Sequence, residues 1–335
     1  VRIAVDVYVP ENFPGGRRLP TVLEMTRYWR DRGSGTPYTI RRGLLRGFAW
    51  VVMDERGPGA SYGAWPSPLT DRALQDAREV LDWIADQPWS NGFVGATGVS
   101  YPGQAAQQLA AVGHPSLRAI VPMSDTYDQY EDLIFPGGVF NEAFMQGWSD
   151  IVFAMDRTSR LDLEEESFIL RPVDNDLYGR WLEEAIAGHA GNLNAYDATR
   201  AIVYRDDAGT TGLRLDDFST HTRSEALDAS GVAVYHWGSW LDGGSADGVI
   251  RAFMSSTGPR RGTIGSWTHG LSDNSFTGDG DRWTAVPSFE SQWEEALNFF
   301  DDRLRKNKPL QERILRYYTM GEGLWKATST WPIPG

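Results

Sequence analysis

The order in which apolar runs and amphipathic stretches follow one another restricts this chain more than any single residue does. PTVLEMT (20–26) and FAWVVMDERG (48–57) read as buried strands that run into polar loops. LTDRALQDAREVLDWIADQPW (69–89) reads as a helix. Leu74, Ala77, Val80, Leu81 and Ile84 fall on one face, and Pro88 closes it. GFVGATG (92–98) is the next strand, GQAAQQLAAVG (103–113) a small-residue helix ended by Gly113, and LRAIVPMSD (117–125) another strand. This alternation predicts an α/β fold, a mostly parallel sheet with helices on both faces.

The rhythm breaks at about residue 126. GGVFNEAFMQGWSDIVFAM and DNDLYGRWLEEAIAGHAG read as helical, with no strong strand between them, and DLEEE (162–166) reads as a solvated charged face. The rhythm returns with GVAVYHWGS (231–239), a helix near 246–256, the strand RGTIGSW (261–267) and the helix SFESQWEEALNFFDDRLRK (288–306). The expected organisation is a core in two parts, 1–125 and 229–335, with a helical cap inserted at 126–228 over the strand ends. The chain opens on VRIAVDVYV, a strand already under way, and stops in WPIPG. Both ends are read as cuts in a longer protein, and no signal peptide is visible.

Composition removes several function classes. The formal charge is −13, which repels phosphate backbones and argues against nucleic-acid binding. No apolar run reaches 18 residues, so no membrane helix is expected, and the expected compartment is the cytoplasm. The absence of cysteine excludes a thiol nucleophile, disulfides and thiolate-bound metals. DNSFTGDGD (273–281) resembles a calcium loop only loosely, since the twelfth position from Asp273 is Thr284, where a bidentate Glu is needed. DERGPGAS lacks the Gly-Lys-Ser/Thr ending of a phosphate-binding loop.

Gly98-Val99-Ser100-Tyr101-Pro102-Gly103 lies where a strand turns into a helix. It is either a plain glycine turn or a tight turn that exposes the Ser100 oxygen as a nucleophile. Pro102 stands where the short G-x-S-x-G pattern has its second glycine, which arrives one place late at Gly103. A serine needs a base, and the base an orienting acid. Of the five histidines, His114 precedes a proline in a surface loop, His189 and His221 lie in the insertion, and His236 reads as a core residue. His269, in SWTHG after a late strand, is placed as a base should be. Asp242, in YHWGSWLDGG, ends the preceding strand. A turn aspartate and a loop histidine are the plain alternative.

Taken in order, GVSYPG, GSWLDGG and IGSWTHG resemble the cocaine-esterase-like (CocE/NonD) hydrolases, the family that includes the X-prolyl dipeptidyl aminopeptidases. VRIAVDVYVP, DERGPGASYGAW, GGVFNEAFMQGW and YYTMGEGLWKATSTWP extend the resemblance along the whole chain. It implies an α/β-hydrolase core with a C-terminal β-sandwich beyond this chain. It also implies Ser100 as nucleophile, Asp242 as acid and His269 as base. The oxyanion hole it implies combines the Tyr101 backbone N–H with the Tyr28 hydroxyl, although Arg27 replaces the proline that usually precedes that tyrosine. Relatives acting on α-amino acid esters are expected to carry carboxylates just after the acid, where this chain has Gly243, Gly244 and Ser245. Glu131 and Asp132 are the nearest substitutes, though surface charge is their plainer role. Phe140, Phe144, Trp148 and Trp240 are candidates for an apolar acyl pocket, with core packing as the default. The expected enzyme is a serine esterase without metal or cofactor, acting on a small ester or amide. An X-prolyl dipeptidyl peptidase and a noncatalytic module are the rivals, and a homo-oligomer is left open.

Overall fold

The protein is described from a computed structural model over residues 1–11, 16–31, 33, 35–163, 166–271 and 287–333. Its first elements are β1 (Val5–Tyr8), β2 (Leu19–Thr26), α1 (Tyr38–Leu45), β3 (Ala49–Asp54), α2 (Asp71–Asp86), β4 (Ser90–Val99), α3 (Tyr101–Ala111) and β5 (Leu117–Met123). Then come α4 (Glu142–Met155), β6 (Arg160–Leu163), β7 (Glu166–Ile169), α5 (Arg180–Gly188), α6 (Ala195–Thr199) and α7 (Ser224–Ala229). The chain finishes with β8 (Ala233–Ser239), α8 (Ser245–Ser255), β9 (Arg260–Gly265), α9 (Phe289–Phe300), β10 (Arg313–Thr319) and β11 (Leu324–Thr328). Two units contain them, one of residues 1–92 and 140–218, the other of residues 93–139 and 219–335.

In the first unit β2 and β3 pair in parallel, and β1 adds to β3 antiparallel. All six residues of β3 are buried, which is why AWVVMD lacks the alternation of a half-exposed strand. Thr70 caps α2 by accepting the Ala73 N–H, and the buried face holds Leu74, Ala77, Val80, Leu81 and Ile84, as the helical spacing predicts. Between the two helical stretches, where no strong strand is expected, the structure has two short ones. Arg160–Leu163 and Glu166–Ile169 form an antiparallel hairpin. Its inward residues Leu161 and Phe168 pack on a cluster of Trp29, Met155, Leu170 and Leu182. Four-residue strands joined through a charge run show too few apolar positions for their period to register. Asp162 of that run is indeed exposed, pairing with Arg160.

The second unit carries the longer parallel run: β4 pairs with β5, β5 with β8, β8 with β9 and β9 with β10, all parallel. β11 closes the edge antiparallel to β10. Strands joined in parallel need crossovers, and α3 and α8 pack back onto β5 and onto β8 and β9 respectively. The helix expected over 288–306 forms as α9, followed by a π turn over Asp301–Arg305. His114, expected at the surface, is buried at 3% exposure. The turn after α3 folds back so that its Nδ1 accepts the Ser116 N–H at 3.1 Å. No helix among the described residues is long and apolar enough to cross a membrane. The calcium-like stretch at 273–281 lies outside the described residues.

Candidate active site

Ser100 sits between β4 and α3 with φ 67° and ψ −128°, a conformation costing a non-glycine residue about 1–3 kcal/mol. Its N–H donates to the Met123 carbonyl at 2.9 Å, and its own carbonyl accepts the Gln104 N–H at 3.0 Å, so the turn is held from both sides. The flanking glycines have separate reasons. A Cβ on Gly98 would lie 2.2 Å from the Pro102 Cβ, and one on Gly103 would lie 2.9 Å from the Gly98 carbonyl oxygen. Pro102 stands in the first turn of α3, where its missing N–H has no helical partner to lose. The displaced glycine is therefore compatible with the same tight turn, and Tyr101 follows at the helix N-terminus, itself buried.

Asp242 and His269 lie beyond the ends of β8 and β9, and the structure brings them together. His269 Nδ1 is 2.7 Å from Asp242 Oδ1. The carboxylate is 8% exposed and the imidazole 57% exposed. The hydrogen bond to Asp242 raises the His269 pKa above the usual imidazole value, outweighing the opposing effect of burial.

Ser239 joins the two loops and was not singled out in the sequence. Its Oγ accepts the N–H of Trp267 at 2.8 Å and of Leu241 at 3.2 Å, and its one proton faces the carbonyls of Trp267 and Gly265, 2.5 and 3.1 Å away. The signal was present as the twin GSW of 238–240 and 265–267. Both glycines clear space, since a Cβ on Gly238 would meet the Ser245 carbonyl at 2.6 Å and one on Gly265 the Trp267 ring at 1.8 Å.

Asp132 is not a surface charge. It is 2% exposed. Its Oδ2 accepts the N–H groups of Tyr127 and Asp128 at 2.9 and 2.8 Å, and its Oδ1 accepts from Arg251 Nε at 2.9 Å. The segment 127–132, which runs into a π-helical turn at Tyr130–Ile134, folds around that carboxylate, and burial pushes its pKa up to about 6. Glu131 pairs with the same arginine. His236 is a core residue as expected, its Nε2 2.9 Å from Gln107 Oε1. Trp240 donates from its indole to the Tyr318 carbonyl at 2.8 Å and packs on the Ala246, Val249, Phe253, Ile264 and Leu315 cluster.

In the first unit Tyr28 is half-buried, and its hydroxyl oxygen accepts the Trp148 indole N–H at 2.8 Å. Arg27 is wholly buried, with Nη2 3.1 Å from each oxygen of Asp156. Phe140 stacks on Tyr196 with centroids 6.2 Å apart, and Phe144 is exposed. His189 is buried with Nε2 2.8 Å from the Ser61 carbonyl, and burial lowers its pKa. His221, in the other unit, is half-buried 3.7 Å from Asp128.

The family described as X-Pro dipeptidyl-peptidase (S15 family) matches residues 1–271. The chain belongs to that family. A Mycobacterium bovis protein provisionally named a serine esterase is 31% identical over all of this chain and 60% of its own length. The cocaine esterase of Rhodococcus is 27% identical over all of this chain and 58% of its own length. The chain thus spans about three fifths of these curated relatives. In fold, a solved CocE/NonD family hydrolase from Staphylococcus aureus superposes with a TM-score of 0.66 at 19% identity, over 99% of this chain and 54% of that one. The S15 chain therefore has the expected α/β-hydrolase core with a mostly parallel sheet, in a family of serine esterases and X-Pro peptidases.

Proposed function

We propose that this chain carries the acyl-transfer site of a serine carboxylic-ester hydrolase. The observation that supports it most is the 2.7 Å bond between Asp242 and His269, on the loops after adjacent parallel strands, in a unit that also holds Ser100 at positive φ on a strand-to-helix turn. Asp242 holds the imidazole proton on Nδ1, which leaves the lone pair on Nε2. Nε2 takes the Ser100 proton as the hydroxyl oxygen attacks the substrate carbonyl carbon. The tetrahedral oxyanion is met by the Tyr101 backbone N–H at the positive end of α3, and the family resemblance supplies the Tyr28 hydroxyl as the second donor. His269 then gives its proton to the leaving alkoxide, activates water against the acyl-enzyme and returns the proton to Ser100. Phe140, Phe144 and Trp148 are assigned to the acyl side. Trp240 is the fourth candidate, with its indole N–H committed to the Tyr318 carbonyl.

The family description favours a second reading, cleavage of X-Pro dipeptides by the same groups. The two readings separate on the substrate amine, which a peptidase must bind. The test is hydrolysis of p-nitrophenyl esters and of aminoacyl-prolyl amides by the protein and by its Ser100→Ala variant. Ester turnover that falls at least about 10³-fold in the variant supports the proposal. Turnover that survives Ser100→Ala sinks the mechanism, and preference for the prolyl amide sinks the ester assignment.

A further inference from the structure

Arg27 stands where the resemblance expects a proline, and its surroundings tie Tyr28 to a helix far away in sequence. Both oxygens of Asp156, the residue capping the C-terminus of α4, accept from Arg27 Nη2. The guanidinium carbon lies 4.2 Å from the Trp65 ring centroid and 5.8 Å from that of Trp148, and the two indoles are 6.4 Å apart at 60°. Trp148 belongs to α4, and its Nε1–H donates to the Tyr28 oxygen at 2.8 Å. The helix that Arg27 clamps is thus the helix that supplies a donor to the neighbouring tyrosine.

We propose that Trp148 is a positioning residue for the Tyr28 hydroxyl, with Arg27 and Asp156 as its anchor. The inference rests on the reading of Tyr28 as an oxyanion donor. A phenol oxygen that accepts one strong hydrogen bond has its O–H direction restricted to the remaining lone-pair geometry. Accepting also polarises the O–H, because donors and acceptors in a chain strengthen one another. Both effects matter most when charge develops on the substrate oxygen, so they act on turnover more than on substrate binding. A proline before Tyr28 would fix the backbone but could not clamp α4. Arginine does so through Nη2, which is shared between the two Asp156 oxygens, and through two ring faces.

The experiment is a double-mutant cycle on p-nitrophenyl ester hydrolysis. Tyr28→Phe is expected to lower kcat about 10²–10³-fold, the usual effect of losing an oxyanion donor. Trp148→Phe, which keeps an aromatic ring and removes the N–H, is expected to lower kcat about tenfold with KM within about threefold, the scale of one lost hydrogen bond. The double variant is expected to match Tyr28→Phe alone. If Trp148→Phe does not fold, β-(3-benzothienyl)alanine at 148 keeps the bicycle without the N–H and must give the same kcat loss. A Trp148 effect confined to KM, no effect, or one that multiplies the Tyr28→Phe loss overturns the proposal while leaving Tyr28 in place. An unchanged kcat in Tyr28→Phe instead overturns the oxyanion assignment and this inference with it. A full loss in Ser100→Ala alongside that result shows that the nucleophile reading survives.

Discussion

Asp125, just past the end of β5, is a carboxyl group with no cation paired to it among the described residues. It is 5% exposed, and its Oδ2 accepts from Gln107 Nε2, whose amide oxygen is in turn 2.9 Å from His236. Burial pushes its pKa up to about 8 from an ordinary 3.8, and the neighbouring charges of Asp132 and Asp242 act in the same direction. Folding therefore takes up a proton at this residue between about pH 4 and 8. The unfolded chain binds fewer protons there, so stability falls as pH rises through that window, by about 1.4 kcal/mol per pH unit. At pH 7 the accumulated cost is on the order of 4 kcal/mol. Asp125→Asn keeps the oxygen that accepts from Gln107 and has no charge to bury, so the variant escapes the cost. For a chain of 335 residues this corresponds to a Tm advantage that grows by about 2 °C per pH unit, reaching about 6 °C at pH 7. The assay is thermal unfolding by circular dichroism at pH 5, 6, 7 and 8. Parallel curves for the protein and the variant would refute the argument, because they would mean that Asp125 exchanges no proton on folding.

Three further outcomes follow from the site. The acid limb of kcat/KM is expected at a pH above 6.5, because Asp242 holds the His269 pKa up and the base must be neutral to act. Asp242→Asn should shift that limb down and cost about 10⁴ in kcat, read from pH–rate profiles. The same pairing favours the folded state at pH below the unfolded histidine pKa, and that contribution is lost as pH rises through the raised folded value. Ser239→Ala removes the acceptor for the Trp267 and Leu241 amides, so it should cost about 1–3 kcal/mol in urea unfolding and lower kcat more than it raises KM. Gly244→Glu, which places a carboxylate where amino-ester hydrolases are expected to have one, should abolish soluble expression rather than create amine specificity. Gly244→Ala should already destabilise by more than about 2 kcal/mol, because the new Cβ would lie 1.9 Å from the Asp132 carbonyl oxygen.

The fold was legible where side chains repeat with a period. α2 shows five apolar residues on one face, and β3 shows an unbroken apolar run, because a surface helix and a doubly buried strand leave those patterns in any sequence. The hairpin of β6 and β7 was not legible, since four residues cannot establish a period and the outward face mixes Arg160 and Asp162 with Ser167 and Ile169. β10 and β11 were visible only as part of a family motif. Their Tyr317, Tyr318 and Trp325 look like any aromatic-rich stretch until β10 is seen to pair in parallel with β9. His269 and Asp242 could be found by chain order, but their mutual 2.7 Å approach could not. Burial was the least legible quantity. His114 lies in the loop after α3 and Asp132 in the π-helical turn Tyr130–Ile134, and each is buried because neighbouring backbone amides fold onto its side chain.

That last point bears on the choice between ester and dipeptide. A site for a free substrate amine needs a carboxylate with capacity to spare. Of the two acids that the sequence offered, Asp132 spends its oxygens on two backbone amides and Arg251, and Glu131 pairs with the same guanidinium. The peptide bearing Asp132 also packs against the loop that follows Asp242, which is why residue 244 has no room for a side chain. Gly248, one turn into α8, is hemmed in by the same acid, with its Cβ position 3.2 Å from both the Asp125 carbonyl oxygen and Asp132 Oδ2. The glycines after Asp242 and the burial of Asp132 are thus one packing solution. A substitution that restores a carboxylate at 244 must displace Asp132, and displacing Asp132 strands Arg251 beside Glu131 alone. Amine recognition in this unit would require rebuilding both loops together, and that coupling supports the proposed ester reading over the dipeptide one.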